Sequence, residues 1–471
     1  MPPRPGDTVD LAVTSLAYGG QGVARLDDFV VFVRGAVPGD AVRARITKRK
    51  RNHGEARVLE ILTPSPRRIA ATCGHADECG GCEWQTLAYD AQLEFKQEQV
   101  VESLRRLGHL EGYELEPIRG MARPWRYRNK MEFSFGEDEG GGLLLGLHRR
   151  GSWREIVETT ACHLASERME AARQAVADAC RDLGLQAFSR DGHEGLLRHL
   201  QVRESRAHGD LLLNLFVSRR FPEEAALAER VAAASGCTSF GVTVNATPAD
   251  AAVGDGPHML LGPPYLRERL AGAELRVPAT AFLQTNSEMC EVLYDVALGF
   301  AAPDPARPAV DLYCGIGSIS LPLARLAASV QAVEIQEEAI VAARENAGLN
   351  GIENVAFHAR DVRPLLKAPP HPTLDAARDD DTARPAVVVV DPPRAGLARK
   401  ALQRAAALGA ERFVYVSCNP TTLAGNGAEL AELCSTLRRV APVDMFPQTH
   451  HIETVALFER SGAPAAAGPD A

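Results

Sequence analysis

The chain has 471 residues, a formal net charge of −9, 45% hydrophobic residues and 24% charged residues. This length exceeds a single hydrophobic core and favours three domains, and the negative charge argues against a protein that coats nucleic acid indiscriminately. No apolar run is long enough to span a membrane and the N-terminus has no apolar leader, so we expect a cytoplasmic protein with no membrane partner. In a reducing compartment its 10 cysteines are expected to be ligands, nucleophiles or core thiols rather than disulfides.

Residues 1–63 predict a small closed barrel of the OB type, a fold that often binds RNA. The short strand patterns are separated by turns and fall at residues 8–13, 29–33, 41–46 and 57–62. Together with the glycine-rich turn at residues 18–22, this order resembles the TRAM module of RNA-modifying enzymes. A basic run at residues 43–51 contains no acid, and it suits contacts with phosphates. A solvated strand face would give the same pattern.

Residues 64–275 predict a mixed α/β middle domain. Helical periodicity is found at residues 87–107 and 166–183, and strand patterns are found within residues 125–160 and 196–217. The alternation of helix and strand patterns indicates a domain distinct from the barrel that precedes it.

Four cysteines of this middle region suggest a metal site. Cys73, Cys79 and Cys82 follow a Cys-x5-Cys-x2-Cys spacing, and Cys162 is a distant fourth thiol. Four thiolates suit both tetrahedral zinc and a 4Fe–4S cluster, and the spacing leaves both open. Zinc ribbons usually pair two Cys-x2-Cys knuckles, whereas this region has one. Four unrelated core cysteines are disfavoured, because three thiols between glycines within ten residues make a poor core.

Residues 276–460 predict a doubly wound, Rossmann-like α/β domain, because strand and helix patterns alternate regularly. The strand patterns fall at residues 309–313, 329–333, 355–357, 386–390 and 412–416, and the helical ones at residues 319–328 and 336–349. Residues 368–385 predict a mobile insertion, and the tail at residues 461–471 is rich in Ala, Pro and Gly and predicts disorder.

A glycine loop after the first of these strands predicts a cofactor site. The loop runs from Asp311 to Ser318 and contains Gly-x-Gly, which lets the backbone approach a ligand closely. Glu334, 16 residues beyond Ser318, is placed to accept hydrogen bonds from ribose hydroxyls. Asp361, after the third strand, is placed to meet an adenine edge. The leading Asp and the missing third glycine favour S-adenosylmethionine over NAD.

Two further strands end in residues suited to chemistry. Cys418 lies within residues 417–420, after the strand pattern at residues 412–416, and Asp391 follows the pattern at residues 386–390. Open α/β sheets bind their ligands at the carboxyl ends of strands. A thiol there is a candidate nucleophile if its environment favours the thiolate. A buried structural cysteine is the alternative.

Together these motifs resemble the RNA uridine-5 methyltransferase family, which makes 5-methyluridine in ribosomal and transfer RNA. The resemblance extends over almost the whole chain, and it rests on motifs at residues 79–85, 127–130, 196–200, 282–286, 391–397, 417–420 and 444–449. It implies an N-terminal TRAM barrel, a middle domain with an iron–sulfur cluster and a C-terminal methyltransferase domain.

The resemblance also implies ligands for each cofactor. The 4Fe–4S ligands would be Cys73, Cys79, Cys82 and Cys162. Gln284 would contact S-adenosylmethionine, as would Tyr313 and Ser318, at which the family often has Phe and Asn. Asp391 would lie beside the methyl donor.

The implied reaction uses two side chains. Cys418 would add to carbon 6 of uracil, which makes carbon 5 nucleophilic towards the methyl donor. Glu453 would remove the carbon-5 proton, provided that partial burial raises its pKa; a solvated surface carboxylate is the alternative. Arg394 would steady the RNA or its own loop. The target base would be flipped out of its stack.

The TRAM-like barrel favours 23S ribosomal RNA as the substrate, because by resemblance the transfer-RNA branch usually lacks both the barrel and the cluster. A transfer-RNA enzyme therefore stays as an alternative. A radical methylthiotransferase also joins TRAM to iron–sulfur, but that class has Cys-x3-Cys-x2-Cys, which this chain lacks. A non-catalytic RNA-binding assembly factor is a third alternative, and the presence of Cys418 and Glu453 argues against it. We expect no obligate protein partner.

Overall fold

The computed structural model describes residues 3–189, 192–247, 252, 254, 256–362, 384–433 and 435–461. The predicted insertion lies outside these ranges apart from its last two residues, and the predicted tail lies outside them apart from Ser461. In the described ranges no helix combines the length and the apolarity that a membrane crossing needs.

The N-terminal region is a closed five-stranded barrel. Its strands are β1 (Thr8–Leu16), β2 (Gly22–Leu26), β3 (Phe29–Arg34), β4 (Ala41–Arg49) and β5 (His53–Thr63), in the order β1-β2-β3-β5-β4. Alternate residues such as Leu11, Val13, Val31 and Val33 point into the barrel and form its core. This confirms the predicted barrel. Closure also pairs every strand edge, which protects a small β domain from edge-to-edge association.

The middle region is built around a seven-stranded sheet. Its elements are α1 (Tyr89–Gly108), β6 (Glu114–Leu115), β7 (Lys130–Glu137), β8 (Leu143–His148), β9 (Ile156–Val157), α2 (Glu167–Asp182), β10 (Leu197–Glu204), β11 (Leu211–Val217), α3 (Glu224–Ser235), β12 (Ser239–Val244) and β13 (His258–Leu261). The strand order is β13-β12-β11-β10-β7-β8-β9. The helices α2 and α3 pack against this sheet and against each other, and β10 and β11 are buried at every position.

The C-terminal region contains a two-stranded ribbon and an eight-stranded sheet. Its elements are β14 (Tyr265–Leu270), β15 (Ala273–Pro278), α4 (Ser287–Ala301), β16 (Pro308–Leu312), α5 (Ser320–Ala324), β17 (Ser329–Glu334), α6 (Glu337–Leu349), β18 (Val355–Ala359), β19 (Val387–Val390), α7 (Arg399–Ala407), β20 (Arg412–Ser417), α8 (Pro420–Glu432), β21 (Ser435–Val443) and β22 (Glu453–Arg460). The ribbon is β14-β15, and the sheet order is β18-β17-β16-β19-β20-β22-β21-β6, parallel from β18 to β20. The predicted doubly wound sheet is therefore present, although the helix predicted at residues 319–328 is only the short α5.

Two features of this sheet determine where the site lies. The strand β22 is inserted antiparallel between β20 and β21, although it is the last described strand along the chain. The strand β6, from the middle region, pairs with β21 at the edge of the sheet, and α1 packs on α8. The middle region and the C-terminal region therefore share one sheet.

Candidate active site

The register of β20 and β22 brings the predicted nucleophile and base together. Ser417 lies opposite Thr454 in this antiparallel pair, so Cys418 and Glu453 are the next neighbours at the same end. The two residues are far apart in sequence, and only the inserted position of β22 makes them adjacent. They lie at the carboxyl end of the parallel strands, where ligands of such sheets bind.

The environment of Cys418 keeps its thiol protonated. Burial raises the pKa of the thiol to about 12, the carboxyl groups of Glu453 and Asp391 add to the rise, and Arg394 opposes it. The sequence predicts a nucleophile only if the surroundings of the thiol favour the thiolate. Without substrate, the surroundings of Cys418 favour the protonated thiol instead. The thiol must lose its proton as it reacts.

The loop that contains Cys418 is fixed by its neighbour Asn419. The Asn419 Oδ1 atom caps α8 by accepting hydrogen bonds from the backbone N–H groups of Thr421 at 3.0 Å and Thr422 at 3.4 Å. The Asn419 Nδ2 atom donates to the carbonyl of Arg394 at 3.3 Å, and the Thr422 hydroxyl donates to the same carbonyl at 3.2 Å. The motifs at residues 391–397 and 417–420 are thus joined directly.

Glu453 is a buried acid with an unsatisfied oxygen. Its side chain is 3% exposed, and its Oε2 atom has no hydrogen-bond partner among the described residues. Burial raises the pKa of the carboxyl well above its usual range, and the charge of Asp391 adds to the rise. Burying such a group without a partner costs stability. A buried acid with a strongly raised pKa is typical of functional sites.

The glycine loop after β16 adopts unusual backbone angles. Tyr313 has a φ of 69°, which is rare for a residue with a side chain, and Gly315 and Gly317 have φ values of 54° and 86°. The Glu334 Oε2 atom accepts a hydrogen bond from the N–H of Gly315 at 3.3 Å. The carboxylate at the end of β17 therefore fixes the loop, whose strain is typical of a ligand-binding turn.

Three of the predicted cofactor residues line one cavity. It is lined by Tyr313, Ser318 and Asp391 together with Phe282, Leu283, Tyr294, Asp311, Cys314, Gly315, Ile316 and Ile319. The Ser318 hydroxyl is hydrogen bonded to the Tyr294 hydroxyl at 2.8 Å. Gln284 adjoins the cavity, since its Nε2 atom donates to Asp391 Oδ2 at 3.4 Å. Burial raises the pKa of Asp391 to about 7, and Asp311 adds to the rise.

The other two predicted cofactor residues do not line this cavity. Glu334 reaches it through the N–H of Gly315. Asp361 lies two positions beyond β18, at the same edge of the sheet. Beside Glu334, the side chain of Ile335 is 58% exposed and offers an apolar surface.

The middle region holds the loops of this site in place. The N–H of Asn129 donates to the carbonyl of Thr285 at 2.9 Å, and its Nδ2 atom donates to the carbonyl of Gln284 at 2.9 Å. The Tyr127 hydroxyl donates to the carbonyl of Pro447 at 3.0 Å. The motifs at residues 127–130, 282–286 and 444–449 are therefore in contact, as a shared site requires.

The four predicted cluster cysteines surround one cavity. Its volume is about 380 Å³, and it is lined by Cys73, Cys79, Cys82 and Cys162. The sulfur of Cys73 accepts a hydrogen bond from the N–H of His75, and that of Cys79 accepts one from the N–H of Gly81, each at 3.4 Å. The fold thus brings Cys162 to the other three across 80 positions of sequence.

The electrostatics of these thiols suit a bound cation. Burial raises the pKa of Cys82 far above its usual value, and the charges of the other three cysteines add to the rise. Four thiolates here would repel one another unless a metal or a cluster compensated their charge. Among the described residues, no three His, Cys, Asp or Glu side chains are grouped closely enough to hold a single ion. Four thiols are the donor set of both a zinc ion and a 4Fe–4S cluster, and their arrangement here does not choose between the two.

Residues next to the cysteines contact the active-site loop. The N–H groups of Glu83 and Trp84 donate to the carbonyl of Gln448 at 3.1 Å and 3.0 Å. The carboxylate of Glu83 is hydrogen bonded to the Nδ1 atom of His450. The cysteine loop is therefore packed against the segment that leads into Glu453.

A buried ion pair, absent from the sequence-based site, anchors the same segment. The Lys96 Nζ atom lies 2.6 Å from Asp444 Oδ1, and both side chains are fully buried. The Tyr89 hydroxyl donates to the other carboxylate oxygen at 2.9 Å. Lys96 lies on the buried face of α1, four residues from Gln92 and from Val100. A charged residue on the buried face of a helix is the sequence pattern that could have identified this ion pair.

The parallel sheet has an acidic glycine loop at its carboxyl edge, and a cysteine lies beside this loop at the end of a strand. These features define a Rossmann-like methyltransferase domain. Residues 252–461 match the tRNA (Uracil-5-)-methyltransferase family, and residues 3–59 match the TRAM domain. An RNA methyltransferase of Halalkalibacterium halodurans, described as uncharacterized, is 37% identical over 97% of this chain and 98% of its own length. One of Gloeobacter violaceus is 39% identical over 97% of both chains.

The fold is similar to that of the Pyrococcus abyssi tRNA (uracil-54, C5)-methyltransferase in complex with S-adenosyl-L-homocysteine. The TM-score is 0.74 at 23% identity, over 96% of this chain and all of that one. The chain belongs to the RNA (uracil-5-)-methyltransferase family, and it is an S-adenosylmethionine-dependent RNA methyltransferase with an N-terminal TRAM domain.

Proposed function

We propose that this enzyme methylates carbon 5 of a uridine in 23S ribosomal RNA through a covalent adduct with Cys418. The observation that supports this most strongly is the adjacency of Cys418 and Glu453 at the strand ends, next to the cavity that contains Asp391. A nucleophile, a base and a donor site in one place are what uridine-5 methylation requires.

The side chains divide the reaction between them. Burial raises the pKa of Cys418 to about 12, so its thiol is protonated before the reaction. The thiol loses this proton to solvent as its sulfur adds to carbon 6 of uracil. S-adenosylmethionine would supply an electrophilic methyl group: the electron pair on carbon 5 would form the new C–C bond as the sulfonium C–S bond breaks, which leaves S-adenosylhomocysteine. Glu453 then takes the carbon-5 proton, the electrons of that C–H bond restore the double bond, and Cys418 leaves as the thiolate. The raised pKa of Glu453 suits it to this transfer.

The cavity after β16 and its neighbours form the proposed donor site. Tyr313, Ser318 and Asp391 line it, and Gln284 adjoins it through Asp391. Glu334 would accept hydrogen bonds from ribose hydroxyls, since a carboxylate has more lone pairs than its backbone partners use. Asp361 would meet the adenine edge, and the exposed Ile335 would pack against the adenine ring.

The four cysteines around one cavity are the proposed ligands of a 4Fe–4S cluster. The convergence of all four thiols on one cavity supports a shared metal group, and the resemblance of the cysteine motif favours the cluster over zinc. Because methyl transfer moves no net electrons, we propose that the cluster stabilises the loop packed on residues 444–449 rather than exchanging electrons.

Ribosomal RNA is proposed from the resemblance of the cysteine motif and the barrel taken together. The barrel by itself does not separate the two substrates, because the fold match to a tRNA methyltransferase extends over 96% of this chain, so transfer RNA stays the second candidate. The test is mass spectrometric mapping of 5-methyluridine in both RNA classes from cells with and without the gene. We expect one or more positions of 23S RNA to lose the modification. Wild-type protein should restore it, and Cys418→Ala should not.

A matched control is Cys237→Ala, which alters a buried cysteine at the end of α3, away from the site. Loss of the modification only from transfer RNA would select the second candidate. No change in either RNA would favour a non-catalytic assembly factor.

A further inference from the structure

The turn between β1 and β2 of the barrel is packed against the catalytic region. The carbonyl of Ala17 accepts a hydrogen bond from Gln99 Nε2 of α1 at 3.2 Å. A Cβ atom added at Gly20, whose φ is +83°, would lie 3.1 Å from Trp84 Nε1 and 3.2 Å from the Cβ atom of His450. A side chain here would have to displace these neighbours by a few tenths of an ångström and would be strained at this φ, which favours glycine. The turn is therefore docked rather than free in solvent.

Tyr18, in this turn, contacts the nucleophile directly. Its hydroxyl donates to the backbone carbonyl of Cys418 at 3.2 Å, and Arg394 Nη2 donates to the same hydroxyl at 3.4 Å. The Arg394 guanidinium lies 5.9 Å from the centroid of the Tyr18 ring, and the ring of His450 meets it edge-on at 6.3 Å. One barrel residue thus joins the loops that contain Cys418, Arg394 and His450.

We propose that Tyr18 is a positioning residue of the active site, through which the RNA-binding barrel sets the orientation of Cys418 and offers an aromatic wall to the RNA strand beside the target uridine. This rests on the proposed function. The hydroxyl holds the carbonyl of the residue whose sulfur must reach carbon 6. Aromatic rings are the usual stacking surfaces for unpaired bases. Burial also raises the pKa of Tyr18, so the hydroxyl stays a donor.

The hydroxyl and the ring can be separated by two variants. Tyr18→Phe keeps the ring and the docked turn but removes the hydrogen bond to Cys418. We expect kcat and the rate of adduct formation with 5-fluorouridine RNA to fall about three- to ten-fold, with KM for RNA and the melting temperature unchanged. Tyr18→Ala should show the same loss together with a KM for RNA raised about ten-fold or more. The affinity for S-adenosylmethionine should not change in either variant.

The matched control is Tyr265→Phe, which removes a phenol hydroxyl from the β14–β15 ribbon and should behave as wild type. A Tyr18→Phe enzyme with wild-type kcat and adduct rate would overturn the proposal. So would a Tyr18→Ala enzyme whose only defect is a lower melting temperature. If the proposed function is wrong, the wild-type enzyme will form neither 5-methyluridine nor the adduct. That result differs from the two above, and it would refute the role of Tyr18 as well.

Discussion

The buried carboxyl of Glu453 gives the sharpest residue-scale prediction. If Glu453 removes the carbon-5 proton, Glu453→Gln should still form the Cys418 adduct and transfer the methyl group, but it should not release the product. A methylated enzyme–RNA complex should then survive denaturation on a gel. Cys418→Ala should give no such band, and the double variant should match Cys418→Ala because attack comes first. Free turnover by Glu453→Gln would assign proton removal to another group.

The same pair of residues predicts how thiol reactivity depends on pH. Burial raises the pKa of Cys418 to about 12, and the negative charge of Glu453 adds to the rise. Alkylation of Cys418 by iodoacetamide should therefore increase throughout the range from pH 7 to pH 10. Removing the charge lowers the thiol pKa, so Glu453→Gln should be alkylated faster than wild type at pH 9. Peptide mass spectrometry measures both rates, and an equal or slower rate in the variant would contradict the electrostatic account.

The sequence contains enough information to propose Cys418 and Glu453, because both lie in specific motifs. It does not show which groups surround these two residues in the fold. Burial is the main cause of the raised thiol pKa, and Glu453 and Asp391, which come from other strand ends and become neighbours only through the sheet register, add to it. The sequence indicates the glycine-rich turn that contains Tyr18 but not the contact of Tyr18 with Cys418, which spans 400 positions.

At the scale of elements, α1 is tied to the active-site segment by the Lys96–Asp444 pair. Lys96→Met should leave the Asp444 carboxylate buried without its cation, which costs about 3–5 kcal/mol of unfolding free energy. Chemical denaturation measures this loss. Lys48→Met, on the exposed face of β4, is the control and should change stability by no more than about 0.5 kcal/mol. Equal stability of the two variants would show that the pair is dispensable.

The cysteine loop makes a second prediction at this scale. Protein purified without oxygen should be brown and contain about four irons per chain. Cys79→Ala and Cys82→Ala should lose the iron and destabilise the middle region, whereas Cys180→Ala, on the buried face of α2, should keep the iron. Stoichiometric zinc without iron in the anaerobic wild-type protein would refute the cluster.

The basic run on the barrel is only partly available for RNA. The structure pairs Arg43 with Asp10 at 2.9 Å and Lys50 with Glu55 at 3.7 Å, which the run of basic residues did not indicate. Lys48, Arg49 and Arg51 are exposed and have no ion pair among the described residues.

Replacing Lys48, Arg49 and Arg51 with Ala should therefore weaken RNA binding at low salt. The slope of log affinity against log salt should decrease by roughly two to three units, because fewer counterions are released. Arg43→Ala is the control and should have little effect. The affinity for S-adenosylmethionine should stay the same in both variants. Unchanged RNA affinity at low salt would make the cluster an ordinary solvated surface.

The barrel and the doubly wound sheet were predictable because each is built from repeated local patterns of strands and turns. The contacts between the regions were not. The strand β6 has two residues, too few to show any periodicity, and its pairing with β21 depends on chain segments more than 300 positions apart. Sequence patterns report local order, whereas docking depends on surfaces formed by the finished fold.

The inserted position of β22 has a consequence for the enzyme while it is being made. Until residues 453–460 leave the ribosome, β20 and β21 lack the strand that joins them, and each has an open edge. The nucleophile is therefore present on the nascent chain well before the base that completes it. Cys418 and Glu453 are therefore brought into their paired positions only when this last described strand enters the sheet.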